Sequence, residues 1–326
     1  MILVKTPFRV SLVGGGTDLP AFYQKNGHGA VVSAAIAKYM YVMIHPYFHE
    51  KLRLKYSQTE DVDDIAKLKH PIARECLKLM QVTSGVEIAS IADIPAGLGL
   101  GSSSSFTVCL LHALYAYQGR YVTKSTLAEQ ACEIEIERLG EPIGKQDQYA
   151  SSLGGLNCIR FEADGRVSVE PLTINPAVTS ELTRRLMMFY VGAPRDAREI
   201  LTEQRDNISD NAKFVAGQQL VELAGEMAKA IKCGQLGAVG EILHEGWQLK
   251  KGLASRISTT EIDGIYDRAR RAGAAGGKLL GAGAGGFMLF YCEPHFQADV
   301  RRCLSLRELP VHCDREGSKI IYAESA

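Results

Sequence analysis

Apolar and polar residues alternate over residues 1–13, and this period of two predicts a β-strand that ends at the glycines 14–16. A short helix is predicted at 19–25. A run rich in Val, Ile, Tyr and Met over 29–56 predicts further strand, whereas the pattern of residues 65–80 is helical. The first quarter of the chain is therefore expected to contain mainly β-structure.

In the middle of the chain, Thr126 and Glu129 have the spacing of a capping box, which predicts a helix over 126–139. A short helix is expected at 144–152. The segment 154–172 predicts a β-hairpin that turns at the dipeptide Asp164-Gly165.

The second half begins after residues 171–180, where the pattern weakens. It predicts a strand at 187–192, helical stretches at 197–231, 236–251 and 260–272, and a glycine-rich segment at 276–286 that runs into an apolar strand. Strands followed by helices in each half indicate an α+β fold rather than a doubly wound one. We expect two domains, residues 1–175 and 176–326.

Composition narrows the function classes. The chain has 326 residues with 37 basic and 37 acidic side chains, so no overall charge favours nucleic acid or an anionic membrane. Its eight cysteines form no CxxC pair and lie mostly in apolar runs, which is typical of free thiols. No signal peptide or membrane-spanning run is apparent. A cytoplasmic protein is expected.

The segment PAGLGLGSSSSFTVCLLHALYAY, residues 95–117, joins a glycine-serine loop directly to an apolar helix. Glycines at alternate positions let the backbone approach an anion, and the serines that follow place free N–H groups and the positive helix end beside it. A flexible linker is the alternative, but apolar segments on both sides argue against it. The pattern predicts a polyphosphate-binding loop.

Two carboxylates occupy positions that are costly without a partner. Glu135 falls on the apolar stripe of the predicted helix 126–139, where a metal ion would compensate its charge; the alternative is a position at the rim of that stripe. Asp147 lies on the apolar side of the next short helix and suits a general base or a partner of a substrate hydroxyl.

Three motifs, TPFRVSLVGGGTDLP (6–20), PAGLGLGSSSS (95–105) and GAGAGG (281–286), resemble those of the GHMP kinases and follow in the same order. The resemblance implies the two-domain GHMP kinase fold, with an N-terminal ribosomal-protein-S5-like, ATP-binding domain and a C-terminal ferredoxin-like domain. It implies Asp147 and Arg9 as catalytic residues, Mg²⁺ on Ser103 and Glu135, and an ATP-binding loop of Pro95, Ala96, Gly97, Leu98, Gly99, Leu100, Gly101, Ser102, Ser103 and Ser104. An ordinary surface ion pair between Arg9 and Asp18 is the alternative for the first motif.

The segments GGGTDLPAFY and GKQDQYASSLGGLNCIRFEADG resemble the D-glycero-D-manno-heptose 7-phosphate kinases within that superfamily. This implies ATP-dependent phosphorylation of the anomeric hydroxyl, for nucleotide-activated heptose in surface polysaccharides. Gly15 and Gly16 depart from the galactokinase motif and argue against galactose. A fucose-type kinase and a non-catalytic sugar and ATP sensor stay open as alternatives.

The implied partners are ATP and a sugar phosphate, bound by a monomer or a homodimer. A phosphorylated substrate needs a second anion site, for which Lys145 or the pair Arg195 and Arg198 is available, although a solvated basic face is equally consistent with that pair. The residues predicted to bind the substrate are Gly15, Gly16, Thr17, Asp18, Lys145, Gly283, Gly285 and Arg195.

Overall fold

The computed structural model describes residues 1–172, 175–192 and 197–324. Its strands are β1 (Ile2–Val13), β2 (His28–Pro46), β3 (Leu52–Lys55), β4 (Thr59–Val62), β5 (Val86–Ala92), β6 (Leu156–Glu162), β7 (Val167–Pro171), β8 (Leu186–Tyr190), β9 (Ala274–Leu279), β10 (Phe287–Cys292), β11 (Glu308–Leu309) and β12 (Lys319–Ala323). Its α-helices are α1 (Pro20–Asn26), α2 (Pro71–Leu79), α3 (Ser102–Tyr117), α4 (Lys124–Cys132), α5 (Gln146–Leu153), α6 (Pro176–Arg184), α7 (Ala197–Asp206), α8 (Asn211–Lys232), α9 (Gly237–Lys251), α10 (Thr260–Arg271) and α11 (Gln297–Leu304).

The larger sheet is organised around the long strand β2, which pairs with β1, β5 and β6. The strand order is β12-β1-β2-β5-β3-β4, and the predicted hairpin of β6 and β7 extends from the far end of β2. Helix α3 packs against β1 and β2 and is buried over most of its length. Its N-terminus is thereby fixed beside the sheet, at the end of the glycine-serine loop.

The smaller sheet is antiparallel, in the order β11-β8-β10-β9. Helix α9 packs against β9, and α8 packs both against α9 and against β2 of the larger sheet. The apolar strand β10 is fully buried. The main hydrophobic core includes residues of both sheets, and a smaller separate cluster lies between α1, α4, α5 and β6. The predicted α+β class is confirmed.

Two predicted helices differ from the observed ones. The helix predicted over 65–80 is interrupted, because Pro71 begins α2 after a separate 3₁₀ turn, Ile65–Lys67. The capping box at 126–129 is wrong: the N-cap of α4 is Thr123, whose side chain accepts the Thr126 N–H. The same helix then changes to a π-helix over Glu133–Arg138.

The helical stretch predicted over 197–231 is divided, because the side chain of Asp210 caps a new helix, α8. The last strand, β12, pairs with β1 and so joins the sheet of the first half. The division at residue 175 stays a prediction. No helix in the described ranges is long and apolar enough to cross a bilayer.

Candidate active site

The glycine-serine loop forms one wall of a cavity of about 740 Å³. Gly97, Gly99 and Gly101 have φ values of 82°, 81° and 74°, a region that favours glycine. Gly101 is the N-cap of α3 and offers no side-chain cap, so the first N–H groups of that helix stay available. The cavity wall includes Pro95, Ala96, Gly97, Gly99, Gly101, Ser102 and Ser103, whereas Leu100 and Ser104 are buried.

The third glycine-rich loop packs directly on this one. A Cβ atom at Gly99 would lie 2.5 Å from the carbonyl oxygen of Leu280, and one at Gly281 would lie 2.5 Å from the Cα of Gly99. Each loop therefore requires glycine in the other. Gly281 and Ala282 of this loop line the cavity. The predicted substrate residues Gly283 and Gly285 are not among the described residues that line it.

Arg9 and Asp147 both line the cavity and bond to each other. The guanidinium donates from Nε to Oδ1 and from Nη2 to Oδ2, both at 2.6 Å, and its Nη1 donates to the carbonyl of Gly99 at 2.7 Å. The Arg9 side chain is 6% exposed and that of Asp147 is 21% exposed. A two-pronged ion pair of this kind fixes the Asp147 carboxylate beside the phosphate loop.

Glu135 is buried within the π-helix, and both of its oxygens are bonded. Ser103 donates to Oε1 at 2.6 Å, and Gln148 donates to Oε2 at 2.7 Å. Burial raises the pKa of Glu135 to about 7, against the lowering effect of these hydrogen bonds. A cation beside this carboxylate would lower its pKa again and keep it fully ionised.

The oxygens of Ser103 and Glu135 fit Mg²⁺, a hard cation that takes few protein ligands and leaves the remaining positions to water and phosphate. No group of three or more His, Cys, Asp or Glu side chains able to hold a metal exists in the described part of the chain. A site here would therefore depend on oxygens from the nucleotide. The donor set suits magnesium and not zinc.

Asp18 also lines the cavity and is 2% exposed. It accepts the N–H groups of Gly16 at 2.9 Å and Gln146 at 3.3 Å, and burial together with the charge of Asp147 raises its pKa. Gly144 makes this burial possible, because a Cβ there would lie 2.0 Å from Oδ2 of Asp18. A surface ion pair with Arg9 is excluded, since Arg9 bonds Asp147 instead.

The remaining predicted substrate residues are placed unevenly. Gly16 lines the cavity, and Gly15 lies next to it, near Ser11. The hydroxyl of Thr17 donates to the carbonyl oxygens of Gly14 and Ala30, a contact that shapes the loop.

The predicted second anion site is not assembled by the described residues. The amine of Lys145 donates to the Gly165 carbonyl at 2.8 Å, on the β6–β7 hairpin, and Lys145 does not line the cavity. Arg198 is an exposed side chain that lies 3.8 Å from Glu141. Arg195 is outside the described residues.

Sequence reasoning missed several side chains of the cavity. Lys250 comes from the last turn of α9, where Lys250 and Lys251 read as an ordinary basic helix end, and Gln204 comes from α7. Lys278, which adjoins the third glycine-rich motif in the sequence, also lines the cavity. The end of the cavity near β5 is largely apolar and is lined by Met40, Tyr56, His70, Ile72, Ile91 and Phe106.

The chain matches the models of both domains of one protein family. The model for the GHMP kinases N terminal domain matches residues 67–155, and that for the GHMP kinases C terminal domain matches residues 227–304. A D-glycero-alpha-D-manno-heptose 7-phosphate kinase of Campylobacter jejuni is 31% identical over 90% of this chain and 90% of its own. A bifunctional fucokinase/GDP-fucose pyrophosphorylase of Arabidopsis thaliana is 26% identical over 94% of this chain and 30% of its own.

A crystal structure of a D-glycero-D-manno-heptose 1-phosphate kinase from Bacteroides thetaiotaomicron has the same fold. Its TM-score is 0.82 over the whole of both chains, at 24% identity. Sequence and fold thus agree over nearly the full length of the chain. The chain belongs to the GHMP kinase family, as an ATP-dependent sugar kinase.

Proposed function

We propose that this protein transfers the γ-phosphoryl group of ATP to the anomeric hydroxyl of D-glycero-D-manno-heptose 7-phosphate. The product would be the 1,7-bisphosphate, used to make nucleotide-activated heptose for surface polysaccharides. The observation that carries the proposal is the Arg9–Asp147 pair, held between the phosphate loop and the Asp18 side of one cavity. The Campylobacter relative supports the choice of sugar.

Nucleotide phosphates fit the side of the cavity formed by Gly97–Gly101 and the N-terminus of α3. Backbone N–H groups and the positive helix end favour anions there. The apolar end beyond this loop, where His70 lies 4.9 Å from both Tyr56 and Phe106 between ring centroids, suits the flat face of a nucleotide base. Ser103 and Glu135 would hold Mg²⁺, which neutralises charge on the transferred phosphoryl group when bound.

The acceptor sugar fits the opposite side. Asp18 and the unpartnered, buried oxygens of Ser11 and Gln146 offer acceptors and a donor to sugar hydroxyls. Asp147 holds or takes the proton of the attacking hydroxyl, while Arg9 keeps its carboxylate in place and faces the developing charge. Catalysis would rest chiefly on positioning and charge neutralisation.

The experiment is an ADP-release assay with a panel of sugars with and without a terminal phosphate. Turnover confined to heptose 7-phosphate and close phosphosugars is expected. The fucokinase relative makes a fucose-type kinase the second candidate. Turnover only on unphosphorylated sugars would favour that candidate and contradict the heptose 7-phosphate proposal.

A further inference from the structure

Two lysine side chains inside the cavity have no role in the arrangement above. Lys250 on α9 and Lys278 on β9 are 7% and 4% exposed, and both line the cavity. Burial lowers the pKa of Lys250 to about 8 and that of Lys278 well below its usual value. A buried ammonium group is costly unless an anion or several acceptors meet it.

The protein itself supplies little compensation. The amine of Lys250 donates to the Gly281 carbonyl at 3.0 Å. The amine of Lys278 has no hydrogen-bond or ion-pair partner within the described ranges. The positive charges of Lys250 and Arg9 lower its pKa further, and the charge of Asp18 opposes them with a smaller effect. Because a β-strand holds its backbone, Lys278 cannot leave the cavity without disrupting the smaller sheet.

The carboxylates of the cavity are already engaged. Asp147 is bonded twice by Arg9, and Asp18 accepts two backbone N–H groups. When both lysines are protonated, three cationic side chains, Arg9, Lys250 and Lys278, face two carboxylates among the described lining residues. The surplus positive charge is left to a ligand.

Gly15 lies beside the amine of Lys250. A Cβ atom there would lie 3.3 Å from Nζ of Lys250 and 3.4 Å from the hydroxyl of Ser11, whose oxygen is buried and unpartnered. The glycine leaves room beside these two donors. This region adjoins Asp18, whose charge acts on the pKa of both lysines, and the third glycine loop, whose Gly281 carbonyl accepts from Lys250.

We propose that Lys250 and Lys278 form a second phosphate subsite, on the Asp18 side of the cavity and separate from the glycine-serine loop. A phosphate monoester carries the two negative charges that two ammonium groups require, and a neutral sugar would leave both unpaired. The subsite deepens the proposed function and rests on it: the phosphate of the acceptor sugar fills it. The γ-phosphate of ATP is the other source of the same chemistry.

The test compares Lys250→Met and Lys278→Met with the wild type. The matched control is Lys251→Met, which changes the neighbouring lysine, paired at 3.2 Å with Asp263 outside the cavity. Isothermal calorimetry would measure Kd for heptose 7-phosphate, the same heptose without phosphate, ADP and a non-hydrolysable ATP analogue. In both subsite variants the Kd for heptose 7-phosphate should rise by roughly tenfold or more, whereas the Kd values for ADP and the unphosphorylated heptose should not change.

Melting curves separate binding from folding. Removal of an uncompensated buried charge should leave Lys278→Met at least as stable as the wild type. Lys278→Arg keeps the charge and should recover part of the phosphosugar affinity. A lower melting temperature with normal affinity for all four ligands would show that the lysines are structural, and would overturn the subsite.

The two proposals fail in different ways. If the variants bind the ATP analogue more weakly but bind ADP and heptose 7-phosphate with unchanged Kd, the subsite is supported and is assigned to the γ-phosphate. If the wild type phosphorylates heptose 7-phosphate and the variants do so with unchanged KM for both heptose 7-phosphate and ATP, the subsite is wrong and the proposed function stands. If the wild type does not phosphorylate heptose 7-phosphate, the proposed function is wrong. The affinities of the variants for the ATP analogue and for ADP then still test the subsite.

Discussion

At the scale of single residues, the carboxylate of Asp147 depends on its partner. Both of its oxygens accept from Arg9 at 2.6 Å, and the guanidinium is almost fully buried. A change at Asp147 therefore leaves the buried Arg9 as an uncompensated charge, and a change at Arg9 leaves the half-buried Asp147 without its partner. The position of Asp147 on the apolar side of a short helix is visible in the sequence, whereas its bidentate partner, 138 positions away, is indicated only by the family resemblance of the first motif.

Asp147→Asn should lower kcat by roughly 10² to 10⁴ with little change in KM for ATP, because the amide cannot accept the proton of the acceptor hydroxyl. The free energy of unfolding should also fall, by about 3 kcal/mol, because Arg9 loses a charged partner. The double change Arg9→Met with Asp147→Asn should recover stability but not activity. Near-wild-type kcat in folded Asp147→Asn would assign the residue a structural role.

Glu135→Gln should raise the Mg²⁺ concentration needed for half-maximal rate, because the amide is a weaker ligand of nearly the same volume. An unchanged magnesium titration would remove Glu135 from the metal site.

The same substitution predicts a pH-dependent difference in stability when divalent metal is absent. The folded pKa of Glu135, about 7, is above its ordinary value of 4.5, so the folded state retains a proton that the unfolded state releases. Its stabilising contribution is present below pH 4.5 and is lost as pH rises through 7, which amounts to about 3 kcal/mol. Urea unfolding should show Glu135→Gln more stable than wild type at pH 8 and equal at pH 4.5. Parallel pH profiles would contradict this.

At the scale of elements, two glycine loops define the cavity by packing on each other. Gly99→Ala would place a Cβ 2.5 Å from the Leu280 carbonyl and separate the loops. We expect a fall in kcat/KM for ATP of roughly a hundredfold. The matched control is Gly119→Ala, where φ is also positive but no atom lies within 4 Å, so only the backbone strain of about 1 kcal/mol is expected. Equal losses in the two variants would mean that the loop contact is unimportant.

The elements around Glu135 show what a periodic pattern can and cannot predict. A regular helix over 126–139 already places Glu135 on the buried stripe, and it is buried. The change to a π-helix at Glu133 shifts the register by bonds that no apolar period encodes, and such segments are rare. The cap at Thr123 was missed because the capping-box spacing three residues later matched equally well.

At the scale of the whole molecule, the ends of the chain meet in one sheet. Strand β12 pairs with β1, and Ser318 accepts a hydrogen bond from Thr6 at 2.8 Å, 312 positions earlier. Alternation within each strand predicts that strands exist, but pairing over such a separation depends on tertiary packing. The fold class was therefore accessible from the sequence, whereas the elements α6, α11, β11 and β12 and the pairing of β12 with the first sheet were not.

In a chain ending at Ser318 the free energy of unfolding should fall by roughly 2 kcal/mol, because the hydrogen bonds between β1 and β12 are lost. Its urea midpoint should fall accordingly. Its kcat at a temperature where it is folded should be unchanged, since β12 does not line the cavity among the described residues. An unfolding curve identical to that of the full chain would show that the pairing contributes nothing to stability.

The proposed reaction is one transfer, from ATP at the glycine-serine loop to the anomeric oxygen of a phosphosugar near Asp18. The most direct measurement is phosphorus NMR of the products formed from heptose 7-phosphate, ATP and Mg²⁺. We predict one new sugar phosphorus resonance, coupled to the anomeric proton and equal in amount to the ADP formed, while the resonance of the 7-phosphate persists. Phosphate on any other hydroxyl, or ADP formed without a new sugar phosphate, would contradict the account.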